Sequence, residues 1–425
     1  MSVRVLVARF ALAAAVVMAG PAMALGQPAD QTSSITSIVP QTAPAGKLAT
    51  RTEIIADRGE AAMISLGSLT AMGNAIDMYR QIAIDGGWPT LKSASLKKGA
   101  RGAAVAALRE RLAIEGYLPP DAMAVKSPDR FDTTLEKALK AFQSNHGLAP
   151  TGKMDPRTLA ELNVPADLRL QTLEINAPRI EAYLKKLGAR YILVNIPSAQ
   201  LEAVNFGTVY SRHNVVVGKR GRPSPAVASR ITEINFNPYW NVPVSIVERD
   251  LIPKLLKNPN AMADMRIRVF DKHGGPEVDP KKIDWLTTRA DRYFFRQDPG
   301  EDNAMATVKI NFSNPYAVYL HDSPAKQLFG TNARYESSGC VRVDRVHELV
   351  NWILNGQNGF TPKKISEIAA SSQRVDVSVA NAPDLRIMYL TAWATEDGRI
   401  QFRPDIYGLD ATGFILGQPQ PQGGT

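Results

Sequence analysis

Apolar residues recur at helical spacing in the first half of the chain and at alternating positions in most of the second half. Residues 51–94 carry a helical pattern that stops at Gly86-Gly87-Trp88-Pro89, which predicts a helical scaffold region. Residues 95–165 contain three shorter helical patterns separated by glycine turns, and they predict a compact three-helix domain. Residues 166–188 predict a helix that connects this domain to the rest of the chain.

Capping patterns give the expected starts of two helices in the three-helix domain. Thr133 is followed by Glu136 three residues later, as in a capping box, so Thr133 is the expected cap of the second helix. Asp155 and Pro156 form the typical start of the third helix. We interpret His146, which precedes a glycine, as a helix-end residue and not as a ligand.

From residue 189 onward β-branched residues alternate with polar ones, which predicts a sheet-rich domain over residues 189–373. A proline-rich stretch at about 247–300 interrupts this alternation, and we expect a helical and loop-like insertion that caps the sheet. Asp344 is the expected cap of a further helix. Residues 374–425 predict two strands, Ile387–Trp393 and Arg399–Arg403, joined by an Asp397-Gly398 turn and followed by a tail. The predicted fold class is therefore multidomain α+β.

The amino terminus has the features of a secretory signal over residues 1–24. Arg4 and Arg9 flank the start of a 10-residue apolar run, and Ala22-Met23-Ala24 is a small-residue cleavage pattern. The run is too short to cross a bilayer, which takes about 20 residues. We expect export with cleavage after Ala24, and an uncleaved anchor is the alternative. Residues 25–50 are rich in Pro, Ala, Ser, Thr and Gln and predict a flexible linker.

The charge of the chain indicates an anionic partner. Removal of residues 1–24 takes away two arginines and no acid, so the formal charge falls from +9 to +7. A basic exported protein fits a wall polymer that carries carboxylates, or a membrane surface. No dense Lys/Arg stripe interleaved with aromatic residues is present, which argues against a nucleic-acid partner. The alternative is that the charge only aids solubility.

The single cysteine, Cys340, is the strongest candidate for chemistry. A lone thiol in an exported protein is either an inert packing residue or a nucleophile. His321 lies 19 residues upstream and can serve as a base if the fold brings the two together, driving the thiol toward thiolate. Backbone N–H groups near Gly339 can receive an oxyanion, and Arg342 can hold a substrate carboxylate. A serine nucleophile at Ser337 or Ser338 is the weaker alternative.

Other histidines and aromatic residues have simpler interpretations. His347-Glu348 begins like a zinc-protease motif, but residue 351 is Asn, so His347 is expected to be a first-turn helix residue. His213 and His273 are expected on the surface. Trp240 is expected in the core, with a contact to substrate as the alternative.

Residues 95–165 resemble a known wall-docking module. The resemblance is carried by Leu96-x-x-Gly99-x-x-Gly102-x-x-Val105-x-x-Leu108, with Phe131-Asp132, Ala141-Phe142-Gln143, His146-Gly147-Leu148 and Thr151-Gly152. The segment is similar to the three-helix peptidoglycan-binding domain found in many wall enzymes. The resemblance implies docking to the wall, although such domains are often only structural.

The cysteine and histidine motifs resemble the L,D-transpeptidases with a YkuD-type catalytic domain, in their large Gram-negative branch. The motifs are Tyr319-Leu-His321-Asp-x-Pro324, Ser337-Ser-Gly-Cys340-Val-Arg342, Val216-Val-Gly218-Lys219 with Arg222-Pro-Ser-Pro225, Asn237-Pro-x-Trp240-Asn-Val-Pro243, and Pro299-Gly300 with Asn303-Ala304. The resemblance spans roughly residues 51–410 and implies a β-rich catalytic domain with a capping insertion. Two residues depart from the commoner pattern: Ser338 replaces a histidine and Ser224 a threonine.

The resemblance implies a role for each residue of the site. The implied roles are Cys340 as nucleophile, His321 as general base and acid, Tyr319, Gly339 and Ser338 in oxyanion binding and site shaping, and Arg342, Ser337 and Trp240 in substrate binding. No metal and no cofactor are implied. The implied partners are peptidoglycan stem peptides, a tetrapeptide donor and a diaminopimelate acceptor, in the periplasm.

The implied reaction is a two-step acyl transfer that forms 3→3 cross-links. The cysteine takes the acyl group from the L-centre of diaminopimelate as a thioester, D-alanine leaves, and the amine of a second stem attacks. The same resemblance implies acylation by carbapenem β-lactams. Two alternatives stay open at this point: a cysteine-dependent wall peptidase or carboxypeptidase, and a non-catalytic peptidoglycan-binding protein.

Overall fold

A computed structural model describes residues 60–92 and 95–417 of the chain. The predicted signal peptide (1–24), linker (25–50) and first part of the scaffold region lie outside these residues. The helices are α1 Ser68–Ile84, α2 Ala103–Ile114, α3 Thr133–Asn145, α4 Pro156–Leu162, α5 Ala166–Leu184, α6 Val244–Ile246, α7 Ile252–Leu255, α8 Ala261–Asp264, α9 Val346–Ile353 and α10 Pro362–Ala370.

The strands alternate with loops through the second half of the chain. They are β1 Arg190–Asn195, β2 Gln200–Asn205, β3 Thr208–Gly218, β4 Val227–Phe236, β5 Trp240–Asn241, β6 Ile267–Phe270, β7 Glu277–Val278, β8 Phe294–Gln297, β9 Val308–Phe312, β10 Leu320–His321, β11 Tyr335–Ser337, β12 Val341–Val343, β13 Val375–Ser378, β14 Asp384–Met388, β15 Ala392–Ala394 and β16 Ile400–Phe402. The predicted multidomain α+β class is confirmed.

The three-helix domain packs α2, α3 and α4 around a core that contains Leu108, Leu112, Leu139 and Phe142. Its second helix begins at Thr133, as predicted, but Thr133 is not its cap. Asp132 is the cap, because its carboxylate accepts from the backbone N–H of Leu135 at 2.8 Å. An aspartate directly before Thr133 competes for the same role, and the sequence analysis overlooked it.

The other two end predictions for this domain are confirmed. Asp155 caps α4, and Pro156 occupies the first helical position. His146 is the C-terminal cap of α3, and its ring stacks on Phe142 with the ring centroids 3.8 Å apart.

A ten-stranded sheet forms the second half of the molecule, in the order β11-β3-β12-β10-β9-β4-β14-β1-β2, with β13 on β4. Because β2 also pairs with β3, the sheet closes on itself. Side chains alternate between its two faces, as the pleat requires. Ile192 and Val194 pack in a core with α9 and α10, while Tyr191 and Leu193 face a second core with α1 and α5.

The prediction of helices and loops is correct for only part of the insertion between β4 and β9. It contains α6 to α8, but it also contains a four-stranded sheet in the order β5-β8-β6-β7, with its own apolar core. These strands have two to four residues each, so their alternation was too short to stand out among the prolines.

Two predictions for the carboxyl-terminal half are wrong. Arg345, in the left-handed region at φ 46°, precedes α9, whereas Asp344 accepts from the Arg345 N–H and does not cap the helix. The predicted strand Ile387–Trp393 is split, because β14 joins the main sheet while β15 pairs with β16. The turn at Asp397-Gly398 does join this hairpin.

Candidate active site

Two short parallel strands bring the predicted catalytic residues together. In the pairing of β10 with β12, His321 lies opposite Arg342. The backbone N–H of Val341 donates to the carbonyl of Tyr319 at 3.1 Å, which extends this pairing by one residue. Tyr319 and Cys340 therefore lie opposite each other on the two strands. Each comes two residues before the corresponding member of the His321–Arg342 pair.

Sheet geometry places these four side chains on one face. Residues opposite each other in neighbouring strands share a face, and so do residues two apart in one strand. The shared face therefore carries Tyr319, His321, Cys340 and Arg342. On the other side of β10, Lys309 of β9 lies opposite His321 and joins the same face. We call this set of five residues the reactive face.

The loop before Cys340 is held in a defined shape by two serines. Gly339 has φ +116°, which a residue with a side chain rarely adopts. The buried Ser337 hydroxyl accepts from the Gly339 N–H at 3.2 Å and donates to the Cys340 carbonyl at 2.5 Å. The Ser224 hydroxyl donates to the Gly339 carbonyl at 2.7 Å and accepts from the Gly218 N–H at 2.9 Å. Ser337 thus shapes the loop and has no free hydroxyl directed at a substrate.

Tyr407, near the carboxyl terminus, makes hydrogen bonds to residues that hold the same loop. The Tyr407 hydroxyl donates to the Gly218 carbonyl at 2.5 Å and accepts from the Ser224 N–H at 3.2 Å. Tyr407 could not be recognised from the sequence, because it lies 67 residues after the cysteine and in no motif.

The exposed Ser338 connects the loop to the insertion. Its hydroxyl accepts from the Arg222 guanidinium at 3.0 Å, and the same guanidinium forms a two-pronged ion pair with Asp250 at 2.5 and 3.0 Å. Asp250 belongs to a π-helical turn, Val247–Leu251, in the insertion. Ser338 therefore contributes to the position of the insertion relative to Cys340.

His321 is oriented for use as a base. Its Nδ1 lies 2.5 Å from the Asp322 carbonyl, which can only accept, so Nδ1 carries the proton and Nε2 has the free lone pair. The ring is buried, and burial together with the Arg342 charge lowers the pKa of His321 to about 3. The imidazole is therefore neutral at pH 7.

A network behind His321 was not anticipated from the sequence. The buried Asp322 carboxylate accepts from the Thr307 hydroxyl at 2.7 Å and pairs with Lys326. His347 Nε2 lies 2.9 Å from the same Thr307 hydroxyl. His347 is in the first turn of α9, as expected, but it also contacts the residues that fix the carbonyl on which His321 depends.

The resting thiol is protonated, contrary to the expectation of a histidine-driven thiolate. Burial raises the pKa of Cys340, and hydrogen bonds from Tyr319 and the charges of Lys309 and Arg342 offset only part of this effect. With His321 also neutral, the site at rest contains a thiol and an imidazole. Proton transfer therefore has to accompany the attack on a substrate.

Trp240 borders the reactive face next to Tyr319. The Tyr319 ring centroid is 5.6 Å from that of His321, and burial raises the pKa of its hydroxyl, which stays protonated and able to donate. A hydrogen bond from Trp240 opposes that pKa shift. Trp240 is half-buried in β5, so it connects the insertion to the reactive face.

The remaining histidines are not part of this site. His213 was expected on the surface, but it is fully buried between the Ser211 hydroxyl and the Asp344 carbonyl. It lies on β3, where strand alternation and not polarity decides which side chains face inward. His273 is exposed in the insertion, as expected.

The described residues contain no group of three or more His, Cys, Asp or Glu side chains that could hold a metal ion. Among the same residues, no helix is both long enough and apolar enough to span a bilayer.

Two family models match separate parts of the chain. Residues 189–365 match the family model described as "L,D-transpeptidase catalytic domain" (YkuD), and residues 101–162 match "Putative peptidoglycan binding domain". A protein of Haemophilus influenzae named "Putative L,D-transpeptidase" is 34% identical over 220 residues, which are 52% of this chain and 44% of that protein. The chain therefore aligns with less than half of this relative.

The matches among solved structures include two L,D-transpeptidases. The one from Stackebrandtia nassauensis has 13% identity and a TM-score of 0.24, and the match covers 71% of this chain and 96% of that one. The one from Xylanimonas cellulosilytica has 17% identity and a TM-score of 0.20, over 62% of this chain and 93% of that one.

Proposed function

We propose that this chain, which carries a YkuD-type L,D-transpeptidase catalytic domain and a peptidoglycan-binding domain, cross-links peptidoglycan stem peptides through a thioester on Cys340. The observation that carries the proposal is the shared face on which neighbouring strands place Cys340 and His321. The free Nε2 lone pair and the half-buried sulfur are the two groups that acyl transfer requires.

The first step forms the thioester. The Cys340 sulfur attacks the carbonyl at the L-centre of diaminopimelate in a tetrapeptide stem, while its proton passes to His321 Nε2. The Tyr319 hydroxyl and the backbone near Gly339 donate hydrogen bonds to the oxyanion. As the C–N bond to D-alanine breaks, His321 returns the proton to the departing amine.

The second step transfers the acyl group. The side-chain amine of diaminopimelate on another stem attacks the thioester carbonyl, and His321 accepts a proton from that amine. The C–S bond breaks, the sulfur leaves as thiolate and regains a proton, and a 3→3 cross-link remains. Because His321 is neutral at rest, it can accept a proton in either step without first losing one.

The location of the reaction is part of the proposal. We propose export to the periplasm, where the wall substrate is found and where residues 1–24 would direct the chain. The three-helix domain would hold the enzyme on the wall. It contacts the β15–β16 hairpin, since the His146 ring stacks on Phe402 with the centroids 5.4 Å apart. Carbapenem acylation of Cys340 belongs to the same proposal.

Product analysis by mass spectrometry tests this function. The chain without residues 1–24 is incubated with purified disaccharide-tetrapeptide, and cross-linked dimers with free D-alanine are the expected products. Trimmed monomers alone would indicate a hydrolase, and unchanged substrate would indicate a binding protein. Cys340→Ala is expected to fold normally and to form neither product. A Cys340→Ala variant with full activity would contradict the proposal.

A further inference from the structure

The reactive face carries two positive charges that have no ion-pair partner among the residues described by the structure. In the described parts of the chain, residues 60–92 and 95–417, neither Lys309 nor Arg342 takes part in an ion pair. Two buried arginines elsewhere are paired, Arg111 with Glu115 at 2.6 Å and Arg179 with Asp410 at 2.5 Å. The buried Arg386 has no ion pair in the same residues, but it donates to four backbone carbonyls. An unpaired charge away from bulk water is costly, so it is usually retained for a ligand.

Arg342 is the more isolated of the two residues. Its Nε is buried without any hydrogen-bond partner, and burial lowers the pKa of the guanidinium. The acid that acts on it electrostatically, Glu336, is exposed and does not form an ion pair with it. A planar guanidinium with an unused N–H edge is suited to a carboxylate.

Lys309 is directed toward the thiol. Its Nζ lies 4.6 Å from the centre of the Tyr319 ring, and its charge acts on the Cys340 sulfur. The acids Glu233 and Asp376 also raise the pKa of Lys309, but less than Cys340 does, and neither forms an ion pair with it among the described residues. Both have other partners, because Glu233 accepts from an asparagine at 3.1 Å and Asp376 pairs with an arginine at 2.6 Å.

The spacing of the two cations suits a small anion beside the sulfur. Lys309 and Arg342 occupy the strands on either side of His321, each about 4.8 Å away at the backbone. Both charges act on Cys340. An anion bound between them would therefore lie next to the atom that attacks.

We propose that Lys309 and Arg342 form a carboxylate site that holds the free carboxylate of the departing D-alanine. This inference rests on the proposed function and names the group that the site recognises. In a peptide ending in D-alanine, the carboxylate carbon is separated from the scissile carbonyl carbon by three bonds and is no more than about 3.7 Å away. A site that binds this carboxylate positions the scissile carbonyl at the sulfur.

The site predicts a preference for a free carboxyl terminus. Two tetrapeptide stems that differ only in their last group, D-alanine and D-alaninamide, are compared by the kcat/KM for acylation of Cys340. The wild-type chain is expected to prefer the acid by roughly 10- to 100-fold, the range for hydrogen bonds to charged groups. Lys309→Met and Arg342→Gln are expected to lose most of this preference. Both substrates slow, because these charges no longer lower the pKa of Cys340, but the acid slows much more than the amide because it also loses its binding site.

Two further variants separate a charge effect from a general loss of activity. Lys309→Arg keeps the positive charge and is expected to retain most of the preference for the acid. Lys363→Met removes a lysine whose side chain is 88% exposed on α10, and it is expected to leave the preference unchanged. Equal slowing of both substrates in Lys309→Met would indicate that the charge acts only on the thiol or on the structure, and it would overturn the proposal.

Binding to an inactive chain makes the carboxylate site testable apart from catalysis. Calorimetry with Cys340→Ala is expected to show tighter binding of the acid than of the amide, and Lys309→Met in that background is expected to remove the difference. If wild type acylates both peptides equally, the carboxylate site is wrong and the proposed function stands. If neither peptide acylates but acid-selective binding depends on Lys309, the proposed function is wrong and the site stands. Equal binding of both peptides would overturn the site.

Discussion

The three-helix domain and the reactive face treat buried charge in opposite ways. In the three-helix domain, Arg109 and Arg111 are almost fully buried and each is matched by an acid, at 2.8 and 2.6 Å. On the reactive face, Lys309 and Arg342 are less buried and have no ion-pair partner among the residues that the structure describes. Paired charges specify a structure, whereas unpaired ones are available to a ligand.

The largest expected effect is on stability, when one member of a buried ion pair in the three-helix domain loses its charge. Glu115 accepts from Arg111 and from the Tyr79 hydroxyl, both at 2.6 Å, and its side chain is 1% exposed. Glu115→Gln leaves the Arg111 charge buried and unpaired, so we expect the free energy of unfolding to fall by about 3–5 kcal/mol. Chemical denaturation monitored by circular dichroism measures it.

A double variant sharpens this test. Arg111→Met with Glu115→Leu removes both charges, and we expect it to recover most of the stability that Glu115→Gln loses. An equally unstable double variant would mean that packing, and not the unpaired charge, causes the loss.

The neutral resting state of Cys340 and His321 should be visible in the pH dependence of alkylation. Only the thiolate reacts, and burial raises the pKa of Cys340, so the rate of reaction with iodoacetamide should increase as the pH rises. We expect a rise of about 100-fold between pH 6 and 8, with no plateau below the ordinary thiol pKa of about 8.5. Because the pKa of His321 is lowered to about 3, no inflection is expected between pH 5 and 7. A plateau by pH 7 would indicate a thiolate–imidazolium pair.

A smaller effect is expected from the tail that supports the nucleophile loop. Tyr407→Phe removes the hydroxyl that bonds Gly218 and Ser224, so the loop at Gly339 loses part of its support. We expect kcat to fall roughly 10-fold with little change in KM, in line with the loss of about 1 kcal/mol per hydrogen bond. Steady-state kinetics of D-alanine release measures both constants.

The matched control for Tyr407 is Tyr191. Tyr191 is buried, and its hydroxyl donates to the Ile64 carbonyl at 3.0 Å. Ile64 does not belong to the loop that holds Cys340. Tyr191→Phe should cost similar stability without changing kcat. An equal decrease of kcat in both variants would argue against a positioning role for Tyr407.

The smallest expected effect is on the free energy of unfolding of the chain when a charge on the reactive face is removed. Lys309→Met removes an unpaired half-buried charge, so we expect the free energy of unfolding to stay the same or to rise by up to about 1 kcal/mol. Lys326→Met is the contrasting variant, because Lys326 pairs with the buried Asp322 and its loss should destabilise the chain. Clear destabilisation by Lys309→Met would show that this charge is structural.

The sequence was most informative where a local pattern has a single physical meaning. The Asp155-Pro156 start of α4 and the Asp397-Gly398 turn were predicted because capping and turn chemistry depend on adjacent residues. The Cys340 and His321 motifs carried the family resemblance, which the family models confirm for the catalytic domain.

Features that depend on pairing between distant strands could not be predicted. Lys309 joins the reactive face only because β9 pairs with β10, and Tyr407 reaches Gly218 across 189 residues. The buried position of His213 depends on strand register in the same way. The protonated resting thiol follows from burial, which spacing along the chain does not reveal.

The most direct test of the central claim is the intact mass of the protein, quenched in acid during reaction with a tetrapeptide stem that lacks an acceptor amine. We predict an adduct equal to the peptide minus D-alanine, located on Cys340 by proteolysis and absent from Cys340→Ala. An adduct on another residue, or release of D-alanine by Cys340→Ala, would contradict the assignment of this sulfur as the nucleophile.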